Sequence, residues 1–323
     1  MKLARACLCA VPLALFPTFL LAWGGIGHMT VAYVAYQKLT PTAKVRVRDL
    51  LKLNPDYANW DKQIPADTSA DDHDRMIFMM ASVWADDIKG EPQYSDDGTD
   101  GGNTPGGEPS SQNIGYNDLL RHKYWHFIDT PFSPDQTTLP AVPAPNAQTQ
   151  IVAFRAVLAS KQPDDLKSYD LVWLLHLVGD VHQPLHSVTR VTRFAPKGDA
   201  GGNRVKLFGD ATSNLHSYWD DLPGMECKFC SDKVQCVNRA RVLARTLPSV
   251  SPQSSHNTDT AAWVRESFEY ARTNVYRDPI GAEDQPYTIV PGSRYERQAY
   301  ALALKRIAVA GERLARVLNE ELK

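Results

Sequence analysis

The sequence predicts an all-α fold, a single mostly helical domain that also contains one small β-hairpin. Two observations lead to this prediction. Apolar residues recur at helical spacing through most of the chain, and neither an internal repeat nor a linker between independent domains is recognisable. Removing a 22-residue leader from the 323 residues leaves 301, which is enough for one large domain or two small ones.

The helices follow one another along the chain. Apolar residues from Met29 to Ala35 predict a helix over residues 27–39, and Thr40 and Pro41 supply an N-cap and first helical position for a helix reaching residue 53. Further helices are predicted at about 72–90, 148–160, 165–182, 212–221, 231–246, 258–275 and 294–319. The apolar spacing in the last helix is typical of core packing.

Two segments depart from the helical pattern. Residues 91–117 are rich in Gly, Pro, Asp and Ser, a composition that buries little apolar surface and predicts a mobile surface loop. The segments 187–194 and 203–208 favour a short hairpin joined by Gly198, Gly201 and Gly202.

Residues 1–22 have the pattern of a secretory signal peptide. Lys2 and Arg5 precede an apolar stretch from about residue 10 to 21, and Ala22 follows. The stretch is short for a membrane span, although a retained N-terminal anchor is the alternative. Cleavage before Trp23 would leave a domain of residues 23–323, secreted or periplasmic, that we expect to be monomeric and free of the membrane. It would also expose a new amine and carbonyl at Trp23 as potential metal ligands.

The net charge of the chain excludes a general electrostatic attraction for polyanions. The chain carries a formal −2, which falls to −4 when Lys2 and Arg5 leave with the leader. A slightly acidic protein has no broad electrostatic attraction for duplex DNA or anionic membranes. Any phosphate substrate must therefore be bound by positive charge at one local site.

Three cysteines remain after cleavage: Cys227, Cys230 and Cys236. In an oxidising compartment this number favours one local disulfide and one leftover thiol. A zinc knuckle at Cys227 and Cys230 is the alternative, but it lacks a second pair of ligands nearby.

The strongest internal signal is a run of histidines and carboxylates. His176 and Asp180 are four apart and share one helix face, and Pro184 ends that helix so that His186 can turn back towards them. A second pair with the same spacing is His216 and Asp220. Imidazole and carboxylate ligands without thiolates suit zinc in a hydrolytic site.

Three further residues, His28, Asp86 and His126, add to this candidate set. Each has an ordinary alternative, because single histidines and helix-surface carboxylates usually serve hydrogen bonding or solvation. We assign that ordinary role to His73, His122, His182 and His256. Two one-face pairs together with a ligand-ready N-terminus make coincidence a poor explanation for the remainder.

These motifs resemble the single-strand-specific zinc nucleases, the family of mung bean nuclease and its fungal and bacterial relatives. Zinc-dependent phospholipase C is a distant cousin of that family. The resemblance runs in order along the chain and rests on Trp23, His28, Trp84-Ala-Asp86, His126-Phe-Ile-Asp129, His176 to His186, Gly201-Gly-Asn203 and Asn214 to Asp220. The cysteine cluster does not obviously reproduce the disulfides of the fungal members.

The resemblance implies the all-α fold of that type, with three zinc ions in a cleft. By this analogy the first ion takes Asp86, His126, His176 and Asp180, and the second takes His186, His216 and Asp220. The third takes Trp23 through its amine and carbonyl, His28, and Asp180 as a bridge. Three ions would outweigh three carboxylates by about three positive charges, which is the local grip that phosphate needs.

The resemblance also assigns roles in catalysis. Asp86 would orient the attacking water, Lys89 would stabilise the transition state, Phe127 would stack on a nucleobase and Asp129 would bind its edge. The implied activity is hydrolysis of single-stranded DNA, RNA and 3′-nucleotides to 5′-phosphate products. A phospholipase C and a non-catalytic zinc-binding secreted protein are the alternatives; Asp220, where the lipases carry Glu, and the Phe127–Asp129 pair favour the nuclease.

Overall fold

The computed structural model describes residues 23–98, 105, 108–209, 213–224 and 232–323. The predicted leader and the residues Cys227 and Cys230 lie outside the described residues. Cys236 is buried and disulfide-bonded, as the expectation of a local disulfide requires.

The regular elements of the described residues are almost all helical, and they include twelve α-helices. These are α1 (Gly25–Tyr36), α2 (Pro41–Leu51), α3 (Tyr57–Asp61), α4 (Ala70–Ala81), α5 (Trp84–Asp87), α6 (Ala147–Leu158), α7 (Asp164–Asp180), α8 (Leu215–Asp221), α9 (Lys233–Ala244), α10 (Pro252–Ser255), α11 (Thr260–Tyr270) and α12 (Arg294–Glu321). Short 3-10 helices span Ile88–Gly90, Glu108–Ser111, Gly115–Asn117, Lys123–His126, Pro184–Ser187 and Leu222–Gly224, and a π-helix spans Ala271–Val275. The predicted all-α fold is confirmed, and only the short α3 and α10 were not foreseen.

Helix α7 lies at the centre of the fold. Fourteen of its seventeen residues are buried, so it is covered on every face, and it packs against α1, α2, α6 and α12. Helix α1 packs against α4, α9 and α12, and one hydrophobic cluster extends from Trp23 to Leu322. Within the described ranges, no helix combines the length and the apolar character that crossing a bilayer requires. Because the other helices pack around α7, its polar end is enclosed by the fold.

The helix predicted at 72–90 is interrupted. Helix α4 ends at Ala81 and α5 begins at Trp84, because the Ser82 hydroxyl bonds to the Met79 carbonyl at 2.7 Å and the Ser82 carbonyl accepts a bond from His176. The break turns α5 so that Asp86 points inwards, where it is 6% exposed.

The predicted hairpin is wrong. The strands are β1 (Pro131–Phe132) and β2 (Thr189–Arg190), and they pair in parallel. Residues 206 and 207 bridge to Asn214 and Tyr287 instead of returning to the strand at 189. The glycines expected to close a hairpin turn have φ of +88° at Gly198, +58° at Gly201 and +84° at Gly202, and they carry the chain towards α8.

The segment 91–117 is better packed at its ends than its composition predicts. Tyr94 and Tyr116 both lie edge-on against Trp84, and the Tyr116 hydroxyl bonds to Asn54 and Ser168 at 3.0 and 2.8 Å. The centre of the predicted loop, at 99–104 and 106–107, is outside the described residues.

Candidate metal centre

The predicted ligands meet at the end of α7. Three groups of side chains each place their ligand atoms within 4.8 Å of one another. They are His28 with His176 and Asp180; Asp86 with His126 and His176; and His186 with His216 and Asp220. All eight histidines and aspartates that the sequence singled out as ligands therefore belong to a group.

Asp180 is the carboxylate around which the first two groups are arranged. Its Oδ1 lies 3.2 Å from His28 Nε2, and its Oδ2 lies 3.1 Å from His126 Nδ1 and 3.4 Å from His176 Nε2. Zinc bonds of about 2.0–2.2 Å in a tetrahedral arrangement place neighbouring ligand atoms roughly 3.3–3.6 Å apart. The spacing around Asp180 fits ligands that surround metal ions.

The other carboxylates have similar spacing. Asp86 Oδ1 lies 3.5 Å from His176 Nε2 and 3.8 Å from His126 Nδ1. In the third group, His186 Nε2 and His216 Nε2 lie 3.1 Å apart and at 3.7 and 3.5 Å from Asp220. Two imidazole nitrogens facing each other this closely need a shared proton or a cation between them.

Backbone carbonyls orient three of the rings. His176 Nδ1 faces the Ser82 carbonyl at 2.8 Å, His186 Nδ1 faces the His126 carbonyl at 2.8 Å, and His216 Nδ1 faces the Gly201 carbonyl at 2.7 Å. A carbonyl only accepts, so each Nδ1 donates a proton to it and each Nε2 is directed at the centre.

Several inward-pointing atoms are buried without a hydrogen-bond partner in the described part of the chain. They include His176 Nε2, Asp180 Oδ1 and Asp220 Oδ2. Buried polar atoms are normally satisfied, and unsatisfied ones need an explanation such as an ion. The donor set and these orphan atoms together fit bound metal.

The carboxyl groups of the site are ionised, and their negative charge favours a bound cation. Burial opposes ionisation of Asp86, yet Lys89 and His176 hold its pKa well below the usual value. Burial likewise opposes ionisation of Asp180, but the neighbouring His176 and His186 keep its pKa well below normal. Both carboxylates are therefore ionised at neutral pH.

The histidines divide into two kinds. Burial lowers the pKa of His28, and burial together with the Lys89 charge lowers that of His126 to about 3, so both rings are neutral and able to bind metal. Burial also disfavours the charged form of His186, but Asp180 and Asp220 outweigh it and raise the pKa to about 9. The carboxylates thus attract a positive charge to this end of the cleft, and metal must displace a proton there.

The start of the described chain lies beside these groups. Trp23 is fully buried, and the Gly24 backbone N–H donates to the Asp220 carbonyl at 2.8 Å. A Cβ at Gly27 would lie 2.6 Å from Trp23 Cβ, so a glycine is needed for this close approach. Trp23 therefore lies next to the backbone of Asp220, just before the helix that carries His28.

The residues predicted to act on substrate line the same cleft. Lys89, Phe127 and Asp129 surround a narrow opening together with His126 and His186. Lys89 is only 3% exposed, and its Nζ lies 3.0 Å from Asp86 Oδ1. Burial and the nearby Asp199 raise the pKa of Asp129 to about 7.

The sequence analysis gave no role to Gln183, which contacts the predicted ligand Asp220 directly. Its Nε2 donates to Asp220 Oδ1 at 2.7 Å, and its Oε1 accepts from the Leu185 backbone N–H at 2.5 Å. The side chain is fully buried. Its position just before Pro184 in the ligand-bearing turn was the only available signal.

Two buried arginines contact the turn that follows α7. Arg306 Nε donates to the His182 carbonyl at 3.1 Å, and Arg313 Nη1 lies 3.0 Å from His182 Nε2. Glu266 pairs with both arginines. These contacts satisfy carbonyl and ring atoms between Asp180 and His186.

The four histidines expected to be ordinary belong to none of the three groups. His122 and His182 are buried and hydrogen-bonded, the first to Asp118 at 2.7 Å and the second to the Val178 carbonyl at 2.7 Å. His73 lies 2.9 Å from Asp61, and His256 is exposed.

Comparison with known proteins gives a consistent result. The model of the S1/P1 nuclease family matches residues 23–323. Endonuclease 3 of Arabidopsis thaliana is 24% identical over 324 residues, which cover 93% of this chain and 88% of that protein. Nuclease S1 of Aspergillus oryzae is 26% identical over 204 residues, covering 61% of this chain and 53% of its own. Nuclease P1 of Penicillium citrinum is 23% identical over 255 residues, covering 75% and 72%.

Proposed function

Because the chain belongs to the S1/P1 nuclease family and is therefore a nuclease, we propose that it is a zinc-dependent phosphodiesterase specific for single strands. It hydrolyses DNA and RNA strands and 3′-nucleotides to 5′-phosphate products. The observation that carries the proposal is the convergence of eight histidines and aspartates in three groups around one cleft.

Three zinc ions are the proposed cofactor. Asp86, His126, His176 and Asp180 would hold the first, and His186, His216 and Asp220 the second. Trp23, His28 and Asp180 would hold the third. Bound zinc would polarise phosphate oxygens, lower the pKa of water to near neutrality and offset charge on the leaving 3′ oxygen.

The protein groups at the cleft mouth position the reactants. Asp86 keeps its negative charge at neutral pH and can accept a hydrogen bond from the attacking water, which aligns it with the phosphorus. Lys89 lies beside Asp86, where its ammonium can donate to the equatorial oxygens as negative charge develops on them. Attack breaks the P–O3′ bond, and the 3′ oxygen leaves with a proton.

Recognition of a base explains the preference for single strands. Phe127 is partly buried and lines the cleft together with Asp129, so a base can stack on the ring while its edge bonds to the carboxyl. Stacking contributes about 1–3 kcal/mol per base and tolerates any sequence. A base in a duplex would first have to leave its stack.

We also propose that residues 1–22 are a signal peptide and that the mature, secreted or periplasmic and monomeric enzyme is the domain 23–323. The family match begins at Trp23, and Gly24 is hydrogen-bonded to the Asp220 backbone, so an amine at Trp23 would be formed beside the ligands. An internal residue has only an amide nitrogen, so a free amine next to its own carbonyl is available only at a chain terminus.

One experiment tests the function. Zinc is measured by elemental analysis before and after chelation, and cleavage is followed on denatured DNA, duplex DNA, RNA and a 3′-nucleotide. We expect three zinc ions per chain, activity that is lost with the metal and regained with zinc, and slow cleavage of duplexes. Hydrolysis of phosphatidylcholine without cleavage of denatured DNA would instead establish a phospholipase. Zinc binding with no activity on any of these substrates would establish a non-catalytic zinc protein.

The base-binding role has its own test. Phe127→Ala should weaken affinity for a short oligonucleotide about tenfold and leave zinc content unchanged. Phe132→Ala is the matched control, because Phe132 is also partly buried but packs on Phe268 and Tyr276. Equal binding by the Phe127 variant and wild type would remove the stacking role.

The terminal amine is tested by one added residue. A mature chain with an alanine before Trp23 should lose the third zinc ion and much of its activity, whereas an alanine after Lys323 should change neither. Full zinc content and activity with the N-terminal extension would remove Trp23 from the ligand set.

A further inference from the structure

A second cavity of about 500 Å³ opens beside the cleft, within the range of small-molecule sites. Two chain segments build it, residues 190–206 and 282–287. None of the proposed metal or base ligands lines it.

The cavity and the cleft share one stretch of backbone. Asp199 and Arg204 line the cavity, whereas Ala200, Gly201 and Asn203 between them line the cleft. The Arg204 charge also acts on Asp129, where it opposes the rise in that carboxyl's pKa. A strand leaving the cleft over residues 200–203 would therefore run towards the cavity.

The cavity wall formed by residues 190–206 carries positively charged side chains that are exposed to solvent. Lys197 and Lys206 are exposed and form no ion pair with any residue that the structure describes. Arg190 differs from them, because it is 5% exposed and committed to Asp199 and the Gly281 carbonyl. The two lysines are thus available to an anionic ligand, whereas Arg190 is structural.

An exposed aromatic ring stands at the same wall. Phe194 is 52% exposed, although large apolar side chains are usually covered, and the Arg193 guanidinium lies 4.7 Å from its ring centre. One face of this ring is available for stacking.

The facing segment carries the opposite charge. Glu283 and Asp284 are exposed there, and the Tyr287 hydroxyl lies 3.3 Å from the Glu283 carboxylate. An anionic phosphate is therefore confined to the lysine wall, and the acidic wall reduces the affinity of the cavity for a polyanion.

We propose that this cavity is a second strand-binding subsite, which takes a nucleotide next to the one held in the cleft. Lys197 and Lys206 bind backbone phosphate and Phe194 stacks on the base. The inference rests on the proposed function, because it requires a single-stranded substrate that extends beyond the scissile bond. Substrates of one nucleotide do not reach this subsite.

The test compares a long substrate with a short one. K197Q/K206Q removes two charges, and K52Q/K161Q is the matched control, because Lys52 and Lys161 are exposed and line neither the cleft nor the cavity. For K197Q/K206Q we expect kcat/KM on a 20-nucleotide single strand to fall about tenfold at low salt. Its dependence on log salt should become shallower by about 1.4, or roughly 0.7 for each lost phosphate contact. Hydrolysis of a 3′-nucleotide should not change.

Two further variants check the direction of the effect. E283Q/D284N should increase kcat/KM on the long strand severalfold, because repulsion is removed, and F194A should lower it about tenfold through lost stacking. Equal losses on the long and the short substrate, or a K197Q/K206Q variant that matches K52Q/K161Q, would refute the subsite alone. Wild-type protein that cleaves neither substrate would refute the proposed function itself, and the subsite with it.

Discussion

Replacing Gly179 with alanine is the sharpest test of the metal centre, because it changes no ligand. Gly179 precedes Asp180 in α7, and a Cβ there would lie 2.7 Å from His28 Nδ1 and 2.9 Å from its Cε1. The His28 ring is stacked on His176 at 3.9 Å between centroids, so it cannot tilt freely away. The new methyl group must therefore push His28 outwards.

The size of the displacement follows from the contacts. Restoring an ordinary separation of about 3.4–3.5 Å requires the ring to move by roughly 0.5–0.8 Å, whereas metal–ligand distances tolerate only about 0.2 Å. Overpacking of this kind costs about 1–3 kcal/mol, and alanine returns up to about 1 kcal/mol through its helix propensity. The fold should thus lose no more than about 3 kcal/mol, while the geometry of the proposed ligand His28 is lost.

A second glycine gives the control. Gly311 in α12 also faces α1, and its added Cβ would lie 2.6 Å from Val34 Cβ. The same Cβ would lie 2.9 Å from the Val31 carbonyl, so Gly311→Ala should cost at least as much stability without touching a proposed ligand. Thermal unfolding, zinc per chain after dialysis and the rate on denatured DNA are measured for both variants. We expect a 10–100-fold loss of zinc affinity or activity for Gly179→Ala alone.

Two outcomes would refute this reasoning. Full zinc content and activity in Gly179→Ala would mean that His28 is not a ligand or that the ring has room to move. Equal losses of activity in both variants would mean that any disturbance of α1 inactivates the enzyme, and the effect could not be assigned to the His28–Asp180 contact.

Two other predictions concern buried polar groups. Gln183→Leu removes the donor to Asp220 at similar volume and should weaken zinc binding 10–100-fold by equilibrium titration, whereas Gln150→Leu in α6 should not. Burial raises the pKa of Asp170 to about 8, although the hydrogen bond that Asn113 donates to this carboxyl acts to lower its pKa. The folded state therefore keeps a proton that the unfolded carboxyl loses near pH 4, and this contribution to stability is present below that pH and lost as the pH rises to 8 and above. Asp170→Asn should consequently raise Tm over wild type increasingly between pH 4 and 9, by the equivalent of a few kcal/mol at most.

Each of these two predictions has a clear contradiction. Unchanged zinc affinity in Gln183→Leu would show that Asp220 is oriented by its histidine neighbours without the amide. A Tm difference between Asp170→Asn and wild type that stays constant from pH 4 to 9 would show that the Asp170 carboxyl titrates normally.

The helices and the grouping of the candidate ligands were predictable because both leave a pattern in side chains. Helix α7 was predicted at 165–182 and is observed at Asp164–Asp180, and its i, i+4 pair His176 and Asp180 forms one cluster with Asp86 and His126. The hairpin was not predictable in the same way. Glycines at 198–202 indicate a turn, but the sequence does not say whether the chain returns to its own strand or, as here, crosses to α8.

The parts that the sequence could not predict are those built from the backbone. Three of the proposed ligand rings are oriented by carbonyls, those of Ser82, His126 and Gly201. Because every residue has a carbonyl, the sequence does not indicate which carbonyls have this role. The Ser82 carbonyl is available to His176 only because α4 stops at Ala81, so the interruption of the predicted helix also orients a proposed ligand. Gly201 likewise joins a backbone constraint to a proposed ligand: its carbonyl orients His216, and a Cβ at this position would collide with the Leu185 carbonyl. Substitutions at positions such as Ser82 and Gly201 should therefore lower metal affinity by more than they lower the stability of the fold, although they remove no proposed ligand.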